Sequence, residues 1–157
     1  MSAFFLDSNI IVKYYITEPG SNWVRSLIAD QNNTCLISEI TIVEVAAAFS
    51  QMRRAKLFGR TQMRNSFDRL QRDIRRGLFF AHPVNVDTLE LATEIALTHA
   101  IKGYDAVQVA SAALAEEWIG TEVIFVSGDK QALRAAQLEA LETDNPFTHL
   151  DKPESQQ

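Results

Sequence analysis

Apolar residues along the chain gather in short unbroken runs, separated by longer stretches in which they return every three or four positions. The runs are "AFFL" at 3–6, "TCLI" at 34–37, "LFFAHPV" at 78–84 and "EVIFV" at 122–126, with a weaker fifth at "PFTHL", 146–150. Each is of strand length and lacks the polar alternation of a strand with one wet face. Between the runs the period is helical. Residues 21–30 open at a serine able to cap and put Trp23, Val24, Leu27 and Ile28 on one side. Residues 42–57 and 61–76 read as a helical pair broken at Gly59, the second with Met63, Phe67, Leu70 and Ile74 at helical spacing. "VDTLELATEIALTHA" starts at an Asp87 to Glu90 capping-type pair and runs to about Ala100, and a further helix opens around Asp105 in "YDAVQVA".

Strands that alternate with helices and are apolar on both faces predict a parallel sheet covered on each side. The fold expected is α/β, a three-layer α/β/α arrangement around a central, mostly parallel sheet of four to five strands. Pro83 requires the third strand to end near it, because proline cannot donate to a ladder. With 157 residues, nearly half of them apolar, a single domain over 1–150 is expected, followed by a polar tail at 151–157, "DKPESQQ".

Charge changes the picture more than composition does. The chain carries a net −5, which argues against a polyanionic partner. Nine of its fifteen Lys and Arg residues, however, lie between Arg53 and Arg76 against only Asp68 and Asp73, a local balance of +7. That basic segment is either a solvated helix face or a track for a polyanion, with Arg53, Arg54, Lys56, Arg60 and Arg64 as the candidates for backbone contacts. The lone Cys35 sits in an apolar run and reads as a small buried hydrophobe in a reducing compartment. "AFFL" is too short for a signal-peptide core or a membrane span. A soluble, cytoplasmic protein is expected.

Carboxylates recur where such a fold binds ligands, at the strand C-termini and the starts of the following helices. Asp7 ends the first run in "FFLDSN", Glu44 lies one turn past the second in "LISEITIVEV", and Asp129 follows the fourth in "FVSGDKQAL". Asp105 starts a helix of its own, so packing must bring it to the same edge. Each acid also suits a helix cap: Asp7 or Ser8 for the first helix, Thr41 to Glu44 as a capping box, Asp105 with Gln108 as another, Asp129 for the last. Carboxylates about 4 Å apart repel by roughly 4 kcal/mol per pair at an effective dielectric of 20. Four acids are therefore either separate caps or a cluster that needs a cation. A cluster of hard oxygens without Cys or His selects Mg²⁺ or Mn²⁺ over zinc and suits phosphodiester hydrolysis.

Asp7 in "LDSN", Glu44 in "SEITIVEVAAA", Asp105 in "YDAVQVASA" and Asp129 in "VSGDKQAL" resemble, in order and spacing, the four acidic motifs of the PIN-domain ribonucleases, more narrowly the VapC-type toxins of bacterial toxin–antitoxin pairs. The resemblance covers roughly residues 3–150 and includes "YYITEPGSNWV" after the first motif. It implies a magnesium-dependent endoribonuclease with a parallel sheet, a homodimer held inactive by a cognate VapB-type antitoxin that lays a basic side chain across the acidic cleft. Asp7, Glu44 and Asp105 would be the core acids, and Asp129 would bind a second metal or a bridging water. Ser8 and Asn9 would orient Asp7, and Ser127 matches a hydroxyl position near the site.

Rival readings stay open beside this one. A phosphatase with a strand-end Asp nucleophile would carry a second Asp two residues on, where this chain has Asn9. A binding module for RNA or protein would use the four acids only as caps. His82, His99 and His149 have no zinc spacing, Trp23 and Trp118 suit core or dimer contacts, and Tyr14 and Tyr15 are left without a role. A Gly-rich phosphate loop is missing, against a nucleotide-hydrolysing domain.

Overall fold

The computed structural model of the protein describes residues 1–150; the tail expected at 151–157 lies outside the described residues. Five parallel strands, β1 (Ser2–Leu6), β2 (Asn33–Ser38), β3 (Phe80–His82), β4 (Val123–Val126) and β5 (Glu142–Asp144), form one sheet in the order β3-β2-β1-β4-β5. The connections are α1 (Ser8–Tyr15) and α2 (Ser21–Ala29), then α3 (Glu39–Arg54) and α4 (Arg60–Arg75), then α5 (Val86–His99) and α6 (Gly103–Ile119), and finally α7 (Lys130–Leu138).

The three layers follow from the period-two geometry of the strands. Ala3, Phe5, Leu36, Val123 and Phe125 point to one face, where α5, α6 and α7 cover them. Leu6, Cys35, Ile37 and Val126 point to the other, against α1 to α4 with Ile10, Val24, Phe49 and Leu70. Cys35 is buried, and burial pushes its thiol pKa up to about 12, so it packs as the small hydrophobe the sequence suggests. β3 stops at His82, just before Pro83. Among the described residues no helix is long and apolar enough to cross a membrane.

Several expectations from the sequence are corrected in detail. The segment 146–150 is not a strand: Pro146–His149 form a 3₁₀ turn, with the proline in its first turn where a missing N–H costs nothing. The fifth strand is the preceding polar triplet Glu142–Asp144, paired Ile124↔Glu142 at the sheet edge. The helix caps also shift. Ser38, not Thr41, caps α3; Gly20 precedes α2; and α5 is capped by a reciprocal Asn85–Thr88 box, not by Asp87. α6 begins at Gly103 after Lys102, which leaves Asp105 inside the first turn with no capping bond.

Candidate active site

β1 lies between β2 and β4, and the chain leaves it to one side for β2 and β3 and returns to the other for β4 and β5. The change of direction between β1 and β4 opens a crevice at their C-terminal ends, the place where an open α/β sheet receives its ligand. Asp7 directly follows β1, and Ser127, Gly128 and Asp129 directly follow β4. Glu44 enters from one turn inside α3 and Asp105 from the first turn of α6. All four acids line one cleft of about 380 Å³, with Ser8, Asn9, Val12, Glu18, Ala48 and Met52.

Asp7 sits at the floor, almost fully buried. Its Oδ1 accepts from the Ser8 backbone N–H at 2.7 Å, while Oδ2 accepts from Asn9 Nδ2 at 2.8 Å and from Ser127 Oγ at 2.7 Å. Its pKa is raised to about 7, first by burial and then by the nearby Glu44 and Asp105 charges, against the lowering effect of the bonds from Ser127 and the Ser8 N–H. Asn9 also ties the two strand ends together, its Oδ1 accepting from the Gly128 N–H at 2.8 Å. Gly128 lets the chain pass close by: a Cβ there would stand 3.0 Å from the Phe147 ring and 3.3 Å from Asn9 Oδ1, so one of those side chains would have to shift.

Glu44 is fixed from the opposite wall. Its Oε1 accepts from Ser8 Oγ and from Gln108 Nε2, each at 2.7 Å. Asp105 is half-buried, and its pKa is raised first by desolvation and then by the charges of Asp129 and Glu44, with Lys102 acting the other way. Asp129 is exposed and caps α7, its Oδ1 accepting from the N–H groups of Gln131 and Ala132 at 2.8 and 3.0 Å. Capping and site membership therefore coincide for Asp7 and Asp129, whereas Glu44 and Asp105 cap nothing. Among the described residues, no three His, Cys, Asp or Glu side chains stand close enough to grip one ion directly.

Asn9 and Ser127 bond the Asp7 side chain, whereas Ser8 reaches Asp7 only through its backbone N–H and turns its hydroxyl to Glu44. The basic candidates do not join the cleft. Arg53 and Arg54 end α3, Lys56 lies in the connection with a left-handed backbone (φ 59°), and Arg60 and Arg64 open α4. All five are exposed, and among the described residues none is in an ion pair. Tyr14 and Tyr15, at the end of α1, face α4: Arg69 lies over both rings, and Tyr15 Oη donates to Asp73 at 2.7 Å, pinning α4 to α1. Sequence reasoning missed Glu18, and gave Thr41 and Gln108 only capping roles. The signal for Gln108 was a single amide in the apolar face "AVQVASAALA", one turn after Asp105.

Comparison with known proteins decides the family. The model of the PIN domain matches residues 4–138. The chain belongs to the PIN domain family. Three solved structures share this PIN fold. VapBC2 from Rickettsia felis, bound to a DNA fragment from its promoter, has a TM-score of 0.62 at 16% identity, covering 91% of this chain and 98% of that one. FitAB bound to an IR36 DNA fragment has a TM-score of 0.62 at 21% identity, covering 96% and 99%. PAE2754 from Pyrobaculum aerophilum has 0.59 at 16%, covering 94% and 92%. Among curated proteins there is no match. The four acids of this PIN chain are spread over 123 positions of sequence, from 7 to 129, and share one cleft.

Proposed function

We propose that the protein is a Mg²⁺-dependent endoribonuclease, the toxin of a toxin–antitoxin pair, with Asp7, Glu44, Asp105 and Asp129 as its catalytic and metal-binding acids. The observation that carries this reading is the convergence of four carboxylates from four elements on one cleft at the sheet's switch point. PIN domains are generally nucleases, which supports the reaction class.

The residues fit a hard divalent cation of the Mg²⁺ or Mn²⁺ type. Every candidate donor is an oxygen, the donor type that hard divalent cations take. Mg²⁺ needs few protein ligands, since it keeps several waters and is held by one or two carboxylates together with substrate phosphate. Bound there, such an ion supplies charge neutralisation and a more acidic water. The protein's own share is orientation: Ser127 and Asn9 fix Asp7, Ser8 fixes Glu44, and Asp105 and Asp129 close the far side of the cleft. The exposed arm Arg53, Arg54, Lys56, Arg60 and Arg64 is suited to sequence-independent contacts with an RNA backbone.

The likeness in fold to VapBC2 and FitAB supports an antitoxin of the VapB type as partner, and the acidic cleft suits a basic side chain of that partner. A homodimer would cover the apolar groove of α5 and α6, where Leu89, Leu97 and Tyr104 are exposed beside Ile40 and Val107. A cytoplasmic site of action is part of the same proposal.

The test is cleavage of a panel of structured RNAs by purified, antitoxin-free protein with Mg²⁺, with Mn²⁺ and with a chelator. Cleavage that needs the cation and stops on addition of antitoxin is expected. A folded protein that binds RNA and cuts none with either cation would leave a binding module instead.

A further inference from the structure

Gln108 is fully buried on α6, in the otherwise apolar stretch "AVQVA". A buried primary amide in such surroundings is costly unless its polar atoms are paired. One end is: Nε2 stands 2.7 Å from Glu44 Oε1, 2.8 Å from Ser8 Oγ and 2.9 Å from Thr41 Oγ1. The other end is bare, since among the described residues nothing donates to Oε1.

The orientation of the amide carries the information. With its oxygen and nitrogen exchanged, Gln108 would accept from the hydroxyls of Ser8 and Thr41, both able to donate. The same exchange would press an amide oxygen against a carboxylate oxygen of Glu44. The charge on Glu44 therefore dictates which end faces it, and a buried acceptor is left without a partner as the consequence. Together with the Ser8 hydroxyl, the amide fixes Oε1 of Glu44 from two sides. Among the described residues no side chain donates to Oε2, the oxygen left to the cleft. The same bonds dock the helix that bears Asp105 against α1 and α3.

We propose that Gln108 is a positioning residue of this site, holding the Glu44 carboxylate so that Oε2 meets the incoming cation or phosphodiester and setting Asp105 relative to it. The proposal rests on the nuclease reading, so its test has a readout independent of RNA cleavage. Gln108→Met keeps the length of the side chain and removes the donors. Mn²⁺ affinity is read by electron paramagnetic resonance of the free ion, with kcat and KM for RNA and a melting curve beside it. Expected are a loss of about tenfold or more in both kcat and Mn²⁺ affinity, with KM within about twofold of wild type. Added to Glu44→Gln, the same change should cost nothing further. A folded Gln108→Met protein with wild-type kcat and Mn²⁺ affinity overturns the proposal, as does an equal loss in the Glu44→Gln background. If the Met variant does not fold, Gln108→Asn, whose amide stops short of Glu44, is judged by the same readouts. If the wild-type protein takes up Mn²⁺ yet cuts no RNA, the nuclease reading falls, and the Mn²⁺ affinities still decide for or against Gln108.

Discussion

Asp7 is held by opposing effects. Burial, and after it the neighbouring Glu44 and Asp105, favour the acid, whereas the bonds from Ser127 and the Ser8 N–H favour the carboxylate, and the balance puts its pKa at about 7. That value lies above the roughly 3.9 of an unfolded Asp, so the folded chain holds the proton more tightly. The resulting stability is complete below about pH 4 and is lost as the pH rises to about 7, a change on the order of 4 kcal/mol. Without metal, the protein should therefore melt at falling temperatures over that window, and Asp7→Asn should flatten the profile and remove activity. Thermal melts in chelator across pH 4–8 check it; a wild-type profile that does not fall would mean the carboxyl is ionised throughout. Gly128→Ala belongs to the same scale: the added methyl meets Phe147 and Asn9, so the Asn9 bridge should loosen and kcat fall with only a small change in melting temperature. Asp7 and Asp129 could be placed at the cleft from the sequence because each follows an apolar run, and Glu44 because it lies about a turn into the helix after β2. The role of Gln108 was not legible there, since a hydrogen bond to a residue 64 positions away leaves no local pattern.

Among the elements, the α3–α4 arm combines an apolar underside with a bare basic surface. Phe49, Phe58 and Leu70 pack it onto the sheet, and Tyr15 and Asp73 anchor its far helix to α1. Replacing Arg53, Arg54, Lys56, Arg60 and Arg64 by Gln should leave the fold intact and weaken RNA binding. The slope of log K against log salt should shrink by about 0.7 for each RNA phosphate that the variant no longer neutralises. An unchanged slope would make the arm a solvated face. Element types were readable where hydrophobic period was strong, as in the first four strands and the long helices. β5 was not, because a polar triplet of three residues at a sheet edge buries too little to leave an apolar run. The helix starts moved by a few residues because caps are chosen by backbone geometry: Ser38, the last residue of β2, bonds the Ile40 N–H at 3.3 Å, which releases Thr41 to the interior.

For the molecule as a whole, the topology does what no single segment could, delivering acids from positions 7, 44, 105 and 129 to one cleft. Three of them follow from the rule that strand ends share an edge; Asp105 arrives only because α5 and α6 cross back over the sheet to β4. The outer surface of that crossover carries the exposed Leu97 and Tyr104. Leu97→Glu should convert a dimer to a monomer in light scattering, with the melting curve of the monomer little changed; a wild-type protein that is already monomeric would contradict the dimer. The central claim is that the four carboxylates work together as a cation-dependent RNA-cleaving site. Its most direct test uses Asp105, which is half-buried in the cleft but caps no helix, so that its loss removes charge and nothing structural. Single-turnover RNA cleavage would be followed against Mg²⁺ for the wild type and for Asp105→Asn. The account predicts saturable Mg²⁺-dependent cleavage and a loss of at least about a hundredfold in the variant, about 3 kcal/mol of transition-state stabilisation. Equal cleavage by the two proteins, or cleavage indifferent to the cation, would contradict it.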